Sequence, residues 1–153
     1  MLPLPELLSE LDRRRRGGER VAFTNGCFDV LHAGHVRYLQ EARDQADLLV
    51  VGLNSDSGVR ALKGPDRPVN AEEARAAVLA GLEAVDYVTV FVEPNPLELI
   101  RAIRPDVLVK GADYQKDQVV GGDFVEGYGG RVHLAALHDG LSTTGVLQRM
   151  KAA

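Results

Sequence analysis

The sequence predicts an α/β fold in which helices cover both faces of a doubly wound parallel sheet of about five strands. Strand-like and helix-like segments alternate along the chain, and the strand-like runs are continuously apolar rather than alternately polar. Continuous apolar runs are typical of parallel strands that are buried on both faces. The length of 153 residues, with 45% hydrophobic and 26% charged residues, suits one globular domain.

Five apolar runs predict the strands. They span Arg20–Thr24, Asp47–Asn54, Val85–Phe91, Asp106–Gly111 and Arg131–Leu137. Most of the intervals between them are long enough to hold a crossover helix, and strands joined by such helices lie parallel in one sheet.

Helical patterns precede the first strand and fill most of the intervals. They span Leu4–Arg16, Ala33–Gln45, Asn70–Leu82, Pro96–Arg104 and a last segment that starts at Ser142. Asn70 with Glu73 predicts a capping box, and Ser142 is a favourable N-cap. Residues 64–68 and 111–123 are predicted to be the two longest loops.

Composition excludes several classes of protein. A formal charge of −4 argues against a broad nucleic-acid surface, which needs a positive excess, but leaves room for a local anion site. No apolar run reaches membrane-spanning length and no secretory signal is recognisable, so we expect a cytoplasmic protein with no membrane partner. Cys27 is the only cysteine, which excludes an intrachain disulfide.

The run Arg13–Arg16 is expected to be a solvated helix face, with a contact to another subunit or a lost fusion partner as the alternative.

The segment TNGCFDVLHAGH, residues 24–35, follows the first predicted strand and lies where open α/β sheets bind ligands. Neither a G-x-G-x-x-G fingerprint nor a Walker A lysine loop is present, so phosphates would be held in another way. Gly26 and Gly34 permit close backbone approach at the start of a helix, which attracts anions. His32 and His35, three residues apart, are expected on one side of that first turn, where both can donate to phosphate oxygens.

Other loops at the same edge of the sheet supply further anion-binding groups. Lys63, Arg67 and Lys110 would add positive charge. The hydroxyl groups of Ser142, Thr143 and Thr144 would form a second anion-binding lip, although three such residues can also be no more than a helix cap.

Less specific interpretations remain open for individual residues. A zinc site of His32, His35 and Asp29 is conceivable but matches no standard ligand spacing. His133 and His138 have no companion motif and are expected to be structural. Cys27 is interpreted as a small packing residue rather than a nucleophile.

These motifs together resemble the cytidylyltransferase-like family of nucleotidyltransferases, which carry a His-x-Gly-His signature. The resemblance rests on GCFDVLHAGH, LKGPDRPVN, KGADY and DGLSTT, and it covers Arg20 to Arg149. It implies a Rossmann-like domain at residues 20–153, with residues 1–19 as an N-terminal helix or linker remnant. It also implies in-line attack of a substrate phosphate on a nucleoside triphosphate, with Mg²⁺ bridging the phosphates, release of pyrophosphate and no covalent enzyme intermediate.

The resemblance also implies roles for individual residues. His32, His35 and Lys63 would be catalytic, Asp29 would stabilise its loop, and Arg67 and Arg75 would hold the acceptor phosphate, Arg75 alternatively bracing the site. The nucleotide would contact Thr24, Asn25, Gly26, Cys27, Phe28, Gly34, Lys110, Gly111, Asp113, Ser142, Thr143 and Thr144.

Within the family, the motifs are most similar to the adenylyltransferase domains of ADP-heptose synthases. That similarity implies transfer of AMP from ATP to a sugar 1-phosphate, most plausibly heptose 1-phosphate, by a homodimer that works with a separate sugar kinase. The main rival is glycerol-3-phosphate cytidylyltransferase, which commonly has an arginine where this chain has Leu137. Leucine cannot clamp a phosphate bidentately, so Leu137 counts against the rival. Other adenylyl transfers and a catalytically silent nucleotide sensor are further alternatives, and the residues do not reveal base preference directly.

Overall fold

The computed structural model describes residues 1–136 and 142–153 and contains a five-stranded sheet. The strands are β1 (Val21–Gly26), β2 (Leu48–Asn54), β3 (Tyr87–Phe91), β4 (Val107–Gly111) and β5 (Arg131–Ala135). Their order is β3-β2-β1-β4-β5, and all four neighbouring pairs are parallel. The predicted doubly wound parallel sheet is therefore confirmed.

Seven α-helices are present among the described residues, and the sequence missed two of them. They are α1 (Leu4–Arg16), α2 (Ala33–Arg43), α3 (Asp56–Lys63), α4 (Glu72–Ala80), α5 (Leu97–Ile103), α6 (Gly122–Gly127) and α7 (Thr143–Ala152). The missed helices are α3, which is short and buries only Val59, and α6, which begins at the end of the predicted 111–123 loop. That loop also contains a 3₁₀ turn at Lys116–Gln118. Only one residue of α3 is buried, and α6 spans only six residues, so neither offers enough apolar positions for a recognisable helical period.

One predicted helix cap is present and the other is not. Ser142 caps α7, since its Oγ accepts a hydrogen bond from the Gly145 N–H at 2.9 Å. The predicted capping box of Asn70 and Glu73 is wrong. The N-cap of α4 is Ala71, and the Asn70 side chain instead donates to the Asp29 carbonyl oxygen at 2.8 Å.

The sheet carries one apolar cluster on each face. Phe23 and Val50 pack with α1 and α5 on one face, and Leu49 and Val51 pack with α2 and α4 on the other. Both clusters include side chains with no exposed surface. Full burial of a Leu or Phe side chain contributes about 1.5–3 kcal/mol, so this packing fixes the strand ends that carry the loops.

Helix α1 is packed into the first of these clusters, and its basic end is only partly solvated. Leu7 and Leu11 are fully buried. Arg14 donates to the Tyr87 hydroxyl at 2.9 Å and pairs with Glu19. Arg15 donates to the carbonyl oxygens of residues 103 and 104 at 2.7 and 2.8 Å, which caps the end of α5. The expected solvated face is therefore wrong for these two arginines.

No helix in residues 1–136 or 142–153 is long and apolar enough to cross a membrane.

Candidate functional site

A cleft of about 450 Å³ lies at the carboxyl ends of β1 and β4, beside the N-termini of α2 and α7. It brings together most of the residues that the sequence predicted for a site. The predicted residues that line it are Asn25, Gly26, Cys27, Phe28, His32, Gly34, His35, Lys63, Arg67, Lys110, Gly111, Ser142, Thr143 and Thr144, with Asp29 beside them. Three predicted residues, Thr24, Arg75 and Asp113, are not among the lining residues.

The two histidines form a reciprocal cap on α2. The Nδ1 of His32 accepts a hydrogen bond from the Gly34 N–H at 3.1 Å, and the Nδ1 of His35 accepts one from the His32 N–H at 3.3 Å. The ring centroids are 4.0 Å apart. A nitrogen that accepts a hydrogen bond carries no proton, so each neutral ring bears its proton on Nε2. The cap therefore sets both rings as Nε2–H donors.

Electrostatics keep both rings neutral near pH 7. Burial, aided by the charges of His32 and Lys63, lowers the pKa of His35 to about 4. Burial, followed by the charge of Arg149 on α7, lowers the pKa of His32. The site therefore presents two neutral N–H donors rather than imidazolium cations.

The cleft attracts anions from several sides. The N-termini of α2 and α7 both open onto it and contribute positive ends of helix dipoles. Lys63, the last residue of α3, and Lys110, near the end of β4, add positive charge. Burial lowers the pKa of Lys110, whose Nζ lies 5.4 Å from the centre of the Tyr114 ring. Such a lining favours a polyphosphate.

Asp29 joins the loop after β1 to the segment before α4. Its carboxylate accepts hydrogen bonds from Arg67 Nε at 2.6 Å, Val69 N–H at 2.8 Å and Asn70 N–H at 2.9 Å. Burial alone would raise the pKa of this carboxyl, but the two backbone N–H groups and Arg67 outweigh it and lower the pKa. The expected loop-stabilising role agrees with this geometry. The zinc alternative does not, because both carboxylate oxygens are already occupied.

Arg75 does not line the cleft, which corrects its assignment to the acceptor phosphate. Its side chain is fully buried. The guanidinium donates to the carbonyl oxygens of Asn70 at 2.9 Å, Cys27 at 2.7 Å and Asn54 at 2.9 Å, and to the Asp56 carboxylate at 2.8 Å. Four protein acceptors leave it no free face for a substrate, so the bracing alternative is the one that the geometry favours.

Thr24 and Asp113 also differ from expectation. Thr24 is buried, and its hydroxyl is hydrogen-bonded to the Tyr38 hydroxyl at 2.7 Å, which in turn donates to the Val109 carbonyl oxygen at 3.2 Å. Asp113 is exposed and is not a lining residue. Cys27 does line the cleft, half-buried, and burial raises the pKa of its thiol, which agrees with a packing residue rather than a nucleophile.

Three lining residues in the described part of the chain are not predicted from the sequence: Tyr38, Tyr114 and Ala136. Tyr38 lies three residues after His35 on α2, so helical spacing could have placed it on the same face. His133 is structural as expected, with Nε2 2.9 Å from the Glu41 carboxylate. The predictions for Leu137 and His138 lie outside the described residues.

In the described part of the chain, no group of three or more carboxylate, histidine or cysteine side chains could hold a metal ion.

Comparison with known proteins gives consistent relatives. Residues 23–140 match the model of the Cytidylyltransferase-like family. The chain is 59% identical over 140 residues to the bifunctional protein HldE of Syntrophotalea carbinolica, covering 92% of this chain and 29% of that protein. It is 52% identical over 151 residues to the bifunctional protein HldE of Ectopseudomonas mendocina, covering 99% of this chain and 32% of that protein. The chain thus spans about a third of the length of these curated relatives.

Solved structures share the fold. The lipopolysaccharide core biosynthesis protein of Thermoplasma volcanium matches with a TM-score of 0.65 and 28% identity, over 79% of this chain and 98% of that one. A pantoate-beta-alanine ligase (pantothenate synthetase) of Thermus thermophilus matches with a TM-score of 0.60 and 20% identity, over 99% of this chain and 70% of that one. The second likeness extends to the fold alone.

Proposed function

The chain belongs to the cytidylyltransferase-like family of nucleotidyltransferases, and we propose that it transfers AMP from ATP to heptose 1-phosphate, forming ADP-heptose and pyrophosphate. The observation that carries the proposal is the pair of Nε2–H donors fixed at the N-terminus of α2 inside a cation-lined cleft. Donors held in this way can stabilise charge that develops on phosphate oxygens without reorganising.

The proposed reaction is a single in-line displacement. A phosphate oxygen of the acceptor attacks the α-phosphorus of ATP, a new P–O bond forms, and the bond to the bridging oxygen breaks as pyrophosphate leaves. His32 and His35 donate to the oxygens on which negative charge grows. Each such donor is worth about 3–4 kcal/mol of transition-state stabilisation. Because both Nδ1 atoms accept backbone hydrogen bonds and both Nε2 atoms carry protons, neither ring is available as a nucleophile.

The remaining lining residues divide between the two substrates. Lys63 and the α7 N-terminus, with Ser142, Thr143 and Thr144, would hold the triphosphate. Arg67 would hold the acceptor phosphate, because its Nη2 is buried and has no hydrogen-bond partner among the described residues while Nε is bound to Asp29.

Mg²⁺ fits this cleft as an ion bound to substrate rather than to protein. Asp29, the only carboxylate that the described residues contribute to the lining, is occupied by three donors. Mg²⁺ commonly keeps several waters and binds through substrate phosphates, where it neutralises charge.

The choice of ATP and of a heptose phosphate rests on relatives. The motifs resemble the adenylyltransferase domains of ADP-heptose synthases, the curated relatives carry the name HldE, and one solved relative is named for lipopolysaccharide core biosynthesis. Homodimer formation and a partner sugar kinase follow from the same resemblance and remain predictions, as does the cytoplasmic location.

The test is pyrophosphate release by the purified chain with Mg²⁺, with ATP or CTP crossed against heptose 1-phosphate or glycerol 3-phosphate. We expect release only with ATP and heptose 1-phosphate. Release with CTP and glycerol 3-phosphate would replace the proposed substrates by those of the rival cytidylyltransferase. Nucleotide binding without release in any combination would favour the sensor.

A further inference from the structure

Asn25 occupies the centre of the sheet at the edge that carries the site. It is the penultimate residue of β1, it pairs in register with Gly52 of β2, and β4 flanks β1 on the other side. It also lines the cleft. Any substrate that spans the cleft from the β2 side to the β4 side passes this position.

The side-chain oxygen of Asn25 has no hydrogen-bond partner. Its Oδ1 is buried, and no group in residues 1–136 or 142–153 donates to it. The preceding residue shows the contrast, because the Thr24 hydroxyl is paired with Tyr38. Native proteins leave few buried acceptors unsatisfied, so an unpaired acceptor in a binding cleft indicates a donor that arrives with the ligand.

The chemistry of the substrates restricts what that donor can be. Ionised phosphate oxygens accept hydrogen bonds and do not donate them, so the polyphosphate cannot satisfy Oδ1. The donors that the substrates carry are the hydroxyl groups on the ribose of ATP and on the acceptor sugar, and the amino group of adenine. Of these, only the sugar hydroxyls lie on the sugar that carries the phosphate, next to the groups that bind phosphate in this cleft. Among the described residues, the cleft has one other buried and unpaired side-chain atom, Arg67 Nη2, which is a donor and so complements a phosphate oxygen. One acceptor and one donor together suit a phosphate that is attached to a hydroxylated sugar.

We propose that Asn25 is a specificity-determining residue whose Oδ1 accepts a hydrogen bond from a sugar hydroxyl of a bound substrate. The inference rests on the proposed function for the identity of the substrates and goes beyond it in assigning Asn25 to a sugar hydroxyl rather than to phosphate. Asn25 is then a group that costs stability in the free protein and is satisfied only in the complex.

The test is calorimetric binding to the whole chain, with Asn25→Ala compared with wild type and with Asn95→Ala. Asn95 is a matched control because its Oδ1 accepts a hydrogen bond from the Leu97 N–H in an exposed segment and lies outside the lining residues. The ligands are inorganic pyrophosphate, ATP and heptose 1-phosphate, with 2′-deoxy-ATP, 3′-deoxy-ATP and 2-deoxy-heptose 1-phosphate as the forms that lack one hydroxyl.

We expect Asn25→Ala to weaken binding of ATP or of heptose 1-phosphate roughly tenfold and to leave pyrophosphate binding within about twofold. A ligand that lacks the hydroxyl group bound by Oδ1 should bind wild type more weakly by a similar factor. The same ligand and its parent should bind Asn25→Ala with nearly equal affinity, which shows that the hydroxyl and Asn25 are coupled. The ligand that shows this coupling identifies the source, ribose or acceptor sugar. The thermal midpoint of free Asn25→Ala should equal or exceed that of wild type, because the variant lacks an unsatisfied acceptor.

Three results would overturn the proposal. The first is equal weakening of all ligands, pyrophosphate included, which would make Asn25 structural or a phosphate contact. The second is unchanged binding of both ATP and heptose 1-phosphate. The third is weaker binding to Asn25→Ala that removal of no sugar hydroxyl reproduces, which would assign Oδ1 to another donor such as the adenine amino group. The ATP and pyrophosphate arms need no turnover, so coupling to ribose without pyrophosphate release would refute the proposed transfer and leave the role of Asn25 intact.

Discussion

Arg75→Leu is the substitution that separates a brace from a substrate ligand. The buried guanidinium holds together the loop after β1, the end of β2, the start of α3 and the segment before α4. Leucine fills part of the volume but leaves three carbonyl oxygens and one carboxylate without these donors. No other group in the variant can replace the arginine guanidinium, whose five N–H donors reach all four acceptors.

The expected magnitude follows from those contacts. Removing one partner of a buried charged network costs about 3–5 kcal/mol. A chain of this length loses about 2–4 °C in thermal midpoint per kcal/mol, so we expect the midpoint to fall by roughly 6–20 °C in the absence of any substrate. Arg75→Lys should recover only part of this loss, because an ammonium cannot span all four acceptors.

The assay combines thermal unfolding with steady-state kinetics at a temperature where the variant is folded. Arg101→Leu is the control, since Arg101 is about half exposed and its surface pair with Glu98 is worth about 0–1 kcal/mol. If Arg75 only braces the site, Arg75→Leu should have a lower thermal midpoint and a lower kcat than wild type and should bind both substrates more weakly. A variant that melts within about 2 °C of wild type and raises KM for the acceptor alone would refute the brace and restore Arg75 as an acceptor ligand.

Four further outcomes follow from the site. The pKa of His35 is about 4 in the folded protein and 6.5 ordinarily, so the unfolded chain takes up the proton first as pH falls. The free energy of unfolding should therefore decrease as pH drops from about 6.5 towards 4. His35→Gln should flatten this slope in thermal scans, and an unchanged slope would exclude His35 as its source. Lys63→Ala should lower kcat about tenfold to hundredfold. Lys116→Ala is the control and should leave kcat unchanged, since the Lys116 ammonium pairs with Glu126 at 3.4 Å. Equal rates for Lys63→Ala and wild type would remove α3 from the site. Excess chelator should abolish turnover and added Mg²⁺ restore it, and full activity in chelator would exclude the bridging ion. Alkylation of Cys27 should be slow at pH 7, because burial raises the pKa of its thiol, and should hinder substrate access at most; complete inactivation with normal nucleotide binding would point to a catalytic thiol.

The sheet was predictable because its strands are continuously apolar, and each predicted strand lies within two residues of the observed one at either end. The position of His32 and His35 at the start of α2 was also predictable, from a strand followed by glycine and a helical pattern. Their reciprocal cap was not, because it depends on which ring nitrogen faces each backbone N–H.

Long-range polar contacts account for what the sequence could not reveal. Arg75 contacts residues that lie 5 to 48 positions away along the chain, and Arg15 contacts carbonyl oxygens 88 and 89 positions away. Neither set leaves a periodic signal. For the same reason the sequence predicts a solvated face for the run of four arginines, although two of its members join α1 to β3 and α5.

The most direct test of the account is the stereochemical course at the α-phosphorus. The chain would be incubated with Mg²⁺, heptose 1-phosphate and one diastereomer of ATP that carries sulfur on the α-phosphorus, and the configuration of the sugar nucleotide would be read by phosphorus NMR. Direct in-line transfer, assisted by two histidines that act only as Nε2–H donors, predicts inversion. Retention of configuration at phosphorus, or a thiophosphoryl nucleotide bound covalently to the protein, would contradict direct transfer. Either result requires an enzyme nucleophile that this geometry does not provide.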